Sequence, residues 1–139
     1  LAGKAFANSP VAAVHALAYP IGGTFHISHG LSNSLVLPYV LRFNAVDIKA
    51  SKHYAELASY VFPNIDTNKG AQAVSAEFID KLEDLSKRLG LPQKLREVDI
   101  PKEACEKMAR DAMKQTRLLV NNPREVTEKD ALNIYQSAW

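Results

Sequence analysis

The apolar positions of this chain recur mostly at intervals of three and four, the period of a helix face, and nowhere alternate over a length that would mark a strand. The clearest run is Ala71, Val74, Phe78, Leu82, Leu85 and Leu89, with Glu, Asp, Lys and Arg between them and Gly90 and Pro92 behind it as a stop. The same reading yields a short helix over residues 2–8, a restart at Asn8-Ser9-Pro10, and a stripe of Val11, Val14, Leu17 and Ala18 that includes His15. From about Ser28 to Asn44 the residues Leu31, Leu35, Val36, Leu37, Val40, Leu41 and Phe43 make a helix apolar almost all round, a buried central helix kinked at Pro38. Ser28 is its N-cap by residue type.

Asp47 to about Phe62 reads as a further helix with Ile48, Ala55, Ala58, Val61 and Phe62 inward, closed by Pro63. Residues 91–99 read as irregular with a short turn. A helix opening at Pro101 carries Cys105, Met108 and Ala112 and runs on to Leu119 before Asn121-Asn122-Pro123 breaks it. Thr127 and Asp130 form a weakened capping box ahead of a last helix that turns Ala131, Ile134, Tyr135 and Ala138 inward. The sum is an all-α domain, a helical bundle of six to seven helices with no internal repeat.

Composition narrows the class. With 139 residues and 47% hydrophobic content the chain suits one domain with one core. A net charge of +2, with basic and acidic residues interspersed, gives no basic patch and so no nucleic-acid partner. No apolar run approaches the roughly 18 to 20 residues of a spanning helix, and no signal pattern opens the chain, so the expectation is a soluble, cytoplasmic protein without membrane contact. The lone Cys105 cannot close an internal disulfide and reads as a buried small hydrophobe. The chain opens on Leu1 within a pattern of small and apolar residues, as the interior of a longer polypeptide would.

Candidate chemistry concentrates between His15 and Asn33, which hold three of the four histidines. On one unbroken helix His15 and His29 would lie roughly 21 Å apart at about 1.5 Å per residue. To share a metal ion, each ring nitrogen must come to about 2.0 to 2.1 Å of it, so the chain must double back. Tyr19-Pro20-Ile21-Gly22-Gly23 is suited to a break, because Pro20 lacks a backbone donor and disfavours helix at Tyr19, while the glycines reach positive φ at little cost. The expectation is therefore helix, break, then a second helix from Ser28, with His15 and His29 facing one another. Nothing else in the chain has the spacing to complete a metal site: Asp47 stands at the far end of the apolar helix and Cys105 has no thiolate partner. His53, among Lys49, Lys52 and Glu56, reads as a solvated residue.

Ala2-Gly3-Lys4-Ala5-Phe6, Val14-His15-Ala16-Leu17, Ser28-His29-Gly30-Leu31-Ser32-Asn33-Ser34 with the apolar helix through Pro38 to Asn44, and the tail from Asn122-Pro123-Arg124 to Tyr135 and Trp139 together resemble the C-terminal helical domain of iron-containing (group III) alcohol dehydrogenases. The resemblance implies a dehydroquinate synthase-like helical fold over residues 1–139 and an N-terminal α/β domain, outside these residues, that binds NAD or NADP. It implies a metal, Fe2+ or alternatively Zn2+, in the cleft between the domains. His15 and His29 would be two of its ligands, with an Asp and a His from upstream completing the set, and a small alcohol or aldehyde would be the substrate. It also implies no activity in the isolated domain, and a domain parted from its partner exposes the apolar faces that lined the cleft, so the expectation is association as a homodimer. Several members carry another His four residues after the first ligand; here Tyr19 stands there, a phenol of reference pKa about 10. His26, on the same stretch, is the candidate substitute for a proton relay, and Tyr19 with Phe25 would shape the substrate or nicotinamide pocket. Maleylacetate reductases and glycerol dehydrogenases are the related alternatives, and a helical interaction module without chemistry is the alternative outside the family.

Overall fold

Burial of small and aliphatic side chains around a central apolar helix decides the architecture. The structure, a computed structural model, describes residues 1–139. Eight α-helices follow in order: α1 (Ala2–Asn8), α2 (Ala13–Phe25), α3 (His29–Asn44), α4 (Ile48–Val61), α5 (Ala71–Arg88), α6 (Ala104–Ala112), α7 (Thr116–Leu119) and α8 (Glu128–Ala138). Two single 3₁₀ turns, Thr67–Lys69 and Leu95–Val98, join them, and there are no strands. The count exceeds the expected six to seven because the helix expected from Pro101 to Leu119 divides. After Ala112, tight bonds from Lys114 N–H to the Asp111 carbonyl and from Gln115 N–H to the Ala112 carbonyl turn the chain before α7. No helix is long and apolar enough to cross a membrane.

The main core is a cluster of 18 buried residues drawn chiefly from α2, α3, α6 and α8, with Leu95, Ile100 and Val126 from the connections. Tyr135 is wholly buried, and its hydroxyl donates to the Leu17 carbonyl at 2.6 Å, tying α8 to α2. Cys105 lies in this core, as its residue type suggests. A second cluster of four, Ala58, Ile65, Val74 and Phe78, sits between α4 and α5. The far end of α3 is latched to the segment before α8: Asn44 and Asn122 exchange amide hydrogen bonds, and Arg124 donates to the Phe43 carbonyl at 2.9 Å while its guanidinium lies 3.9 Å over the Phe43 ring.

Local signals set several element ends. Gly90, with φ of 74°, closes α5: its N–H reaches the Lys87 carbonyl and that of Leu91 reaches Ser86, the paired bonds of a Schellman motif. The capping box at Thr127 and Asp130 is complete rather than weakened. On α4 the inward face differs from the expected one. Ala50, Ser51 and Ala58 are buried and Tyr54 is half-buried, whereas Ile48 is 65% exposed and Val61 is exposed as well. Small residues let α4 approach its neighbour, so the larger aliphatics fall outside.

The expected break at Pro20 does not occur. α2 runs unbroken from Ala13 to Phe25 with Pro20 inside it. Proline in a helix interior costs about 3 kcal/mol, whereas burying Leu17 and Ile21 completely is worth roughly 1.5–3 kcal/mol each, so packing outweighs the local penalty. The reversal comes later, over residues 26–28. His26 adopts the left-handed conformation at φ 57°, and its N–H closes α2 on the Gly22 carbonyl at 3.0 Å. Ser28 occupies the N-cap position of α3 but its side chain caps nothing; Ser32 instead donates back to the Ser28 and Ile27 carbonyls.

Candidate metal centre

The first turns of α3 lie against one face of α2, formed by His15, Tyr19 and Gly22 at helical spacing. Gly22 sits tight against the turn and the first turn of α3: a Cβ there would stand 3.2 Å from the Ile27 carbonyl oxygen and 3.6 Å from Ser32 Oγ. Glycine therefore serves at this position by lacking a side chain, and Gly23, whose Cβ would meet nothing, serves no such purpose.

That approach sets the His15 and His29 rings 5.1 Å apart, centroid to centroid, tilted by 54°. The Tyr19 ring lies 6.3 Å from that of His29, with its residue about half exposed. His15 is half-buried while His29, at the start of α3, is exposed. Burial first, and the like charge of His29 second, lower the His15 pKa from its ordinary value and favour the neutral ring. A metal ligand must be in that state.

Asn33 is the residue that sequence reasoning used as part of a motif without giving it a place in the site. It lies one turn beyond His29 on α3, and its Nδ2 stands 3.1 Å from His29 Nε2 and 3.5 Å from His15 Nε2. Its Oδ1 is buried with no partner, an arrangement that costs about 1–3 kcal/mol. The four-residue spacing from His29 was a signal of a shared face, but nothing in the sequence pointed across to His15.

His26 stands apart from this group. It forms the left-handed turn between the helices, is exposed, and its side chain makes no hydrogen bond. Phe25 packs on the main core. His53 is exposed beside Glu56 at 3.4 Å, as expected of a solvated residue. A depression of about 300 Å³ opens at Tyr19, walled by Lys114, Gln115, Thr116, Arg117 and Leu118. The cavity of about 370 Å³ between α3 and α8, which includes Tyr39 and Arg124, contains none of the histidines.

The donor set fits a metal ion in part. Two imidazole nitrogens converge on one point, now met by the positive end of an amide, and imidazole suits iron and zinc alike. No group of three or more His, Cys, Asp or Glu side chains gathers anywhere in the chain, so a closed site would need ligands from outside residues 1–139.

The fold is all-helical with a histidine pair between its second and third helices, and sequence comparison gives its family. All 139 residues match the model of the Fe-containing alcohol dehydrogenase family, C-terminal. The chain belongs to that family. It is 39% identical over its whole length to long-chain-alcohol dehydrogenase 1 of Geobacillus thermodenitrificans, of which it covers 34%. It is 31% identical to lactaldehyde reductase of Escherichia coli, again over its whole length and 35% of that protein. Among solved structures, an alcohol dehydrogenase from Oenococcus oeni superposes with a TM-score of 0.90 at 30% identity, over 99% of this chain and 35% of that one. The chain thus spans about a third of the length of the curated relatives it matches.

Proposed function

We propose that residues 1–139 form the C-terminal metal-binding domain of an NAD(P)-dependent, iron-dependent dehydrogenase that interconverts a small alcohol and its aldehyde or ketone by hydride transfer. The observation that carries this reading is the approach of His15 Nε2 and His29 Nε2 to one point, in a chain whose relatives include a long-chain-alcohol dehydrogenase and a lactaldehyde reductase. Two imidazoles supply half of a four-ligand set. The remaining ligands and the nicotinamide-binding loop belong, in this reading, to an N-terminal domain outside these residues, and the domain by itself oxidises nothing. A homodimer is part of the same reading.

When bound, Fe2+, or Zn2+ in its place, would supply the Lewis acidity that makes an alcohol oxygen acidic or a carbonyl carbon electrophilic at neutral pH. His15 and His29 would hold the ion, and burial, with the like charge of His29 second, lowers the His15 pKa and so favours the neutral ring a ligand presents. In this reading Tyr19, whose ring lies beside that of His29 and lines the depression that reaches α7, donates a hydrogen bond to a substrate oxygen. His26, on the exposed turn, is the group of this stretch that could pass a proton to solvent.

The test uses the full-length protein. His15→Ala and His29→Ala should each bring bound metal and hydride transfer down to background, with backbone circular dichroism unchanged. Metal content and turnover equal to wild type in both variants would overturn the assignment.

A further inference from the structure

Asn33 is the one side chain that touches both candidate ligands, and its orientation is informative. Neither the His15 nor the His29 side chain makes any other hydrogen bond, and Asn33 Oδ1, buried, makes none at all. The amide is thus oriented by its nitrogen end alone. An amide NH2 has two hydrogens to give and nothing with which to accept, so each Nε2 that faces it must present a lone pair. Both rings then carry their proton on Nδ1, and both lone pairs point at the same place.

We propose that Asn33 is the positioning residue of the histidine pair: without a cation its NH2 donates to both Nε2 atoms and fixes both rings in the Nδ1–H tautomer, and on cation entry its amide turns to offer Oδ1 instead. The first half rests on geometry within the chain; the second rests on the metal-binding reading above. The hold is unequal. His29, one turn before Asn33 on the same helix, is met at 3.1 Å, a normal bond length, whereas His15, from the other helix, stands at 3.5 Å, the outer limit. His29 is therefore the ring more tightly fixed, and His15 the one held chiefly by its packing. A half-turn of the amide puts a hard oxygen donor toward a divalent cation and moves the NH2 to the buried position where Oδ1 has no partner, so the cation contact alone drives the turn.

The test is two-bond proton–nitrogen spectroscopy of the histidine rings in the metal-free protein, with His26, exposed and without a side-chain hydrogen bond, as the internal reference for an unconstrained ring. In the wild type both His15 and His29 should be Nδ1–H. In Asn33→Ala they should relax toward the mixture shown by His26. In Asn33→Asp, where an acceptor replaces the donor, the protons should move to Nε2, an inversion that mere loss of packing does not produce. An unchanged backbone amide fingerprint confirms that each variant folds. Added Zn2+ should shift the Asn33 side-chain NH2 signals of the wild type, and its affinity should fall about tenfold in Asn33→Ala and be kept or raised in Asn33→Asp. Wild-type rings resembling His26, or rings unmoved by Asn33→Ala, overturn the positioning role whatever the metal does. Tautomers as expected with no response to Zn2+ at any residue overturn the metal-binding reading and the amide turn with it, while the positioning of the rings stands.

Discussion

Two helix pairs of this domain pack on apolar cores of very different size. α2 and α3 place Ala13, Ala16, Leu17, Ile21, Leu35, Val36 and Val40 in the main core of 18 buried residues, with Gly22 tight against the turn between them. α4 and α5 pack about the cluster of four, widened by half-buried Tyr54, Ala55, Phe62 and Leu82, and the ion pairs of α5 lie outside that contact: Lys69 with Glu77 at 3.2 Å, Arg88 with Asp84 at 3.0 Å, and Arg42 of α3 with both Asp80 and Glu83. Exposed pairs of this kind contribute about 0–1 kcal/mol each and weaken with salt. The histidine pair stands on the first arrangement. Its geometry depends on burial and backbone approach, so it should be insensitive to salt and sensitive to whatever loosens the core.

The strongest way to break that contrast is to empty each cluster in turn. Tyr135→Ala should destabilise the protein by about 3–5 kcal/mol in chemical denaturation, and because the Tyr135 hydroxyl is bonded to the Leu17 carbonyl it should also move the His15 ring signals. Phe78→Ala should cost about 3 kcal/mol, the low end of the same range, and leave the ring signals of His15 and His29 where they were. A histidine signal that follows Phe78 rather than Tyr135 would remove the distinction between the pairs.

The turn comes next in size. His26→Gly should gain about 1 kcal/mol, because glycine escapes the left-handed penalty that histidine pays with no side-chain hydrogen bond in return, whereas His26→Ala, which keeps a Cβ, should leave stability nearly unchanged. If the imidazole of His26 relays a proton, both variants of the full-length enzyme lose activity equally; if it serves only the turn, activity follows stability.

The cap on α8 sharpens the picture through pH. Hydrogen bonds from the Thr127 hydroxyl, and then its backbone N–H, hold the Asp130 carboxyl below its ordinary range. A carboxyl with a lowered pKa stabilises the fold above its unfolded-state pKa of about 4, and that contribution disappears as pH falls through its own lower value. Thr127→Ala should therefore cost about 1 kcal/mol at neutral pH and less in acid. The smallest effect separates neighbours: Gly23→Ala, open to solvent, should gain about 0.5–1 kcal/mol in thermal melts, and Gly22→Ala should forfeit that gain against the Ile27 carbonyl.

Where sequence reading succeeded, the signal was local. The α5 stripe ends at Gly90 because a left-handed glycine and two backwards bonds satisfy its carbonyls, all within six residues. The inward face of α8 and its capping box likewise lie within one helix. Where it failed, a distant contact overrode a local preference. Pro20 should have ended α2 and did not, because Leu17 and Ile21 are buried by other helices. Ile48 and Val61 look like core residues but yield to Ala50 and Ser51, which allow closer packing.

The site divides along the same line. Spacing and residue type alone singled out His15 and His29, placed one at the start of a helix, and required a reversal between them. Only the tertiary structure decided that the reversal falls at His26 rather than Pro20, that Gly22 sets the approach, and that Asn33 completes the group by reaching both rings. Helical periodicity is carried by neighbours along the chain, whereas the meeting of His15 with Asn33 depends on how two helices pack, which no stretch of either helix encodes by itself.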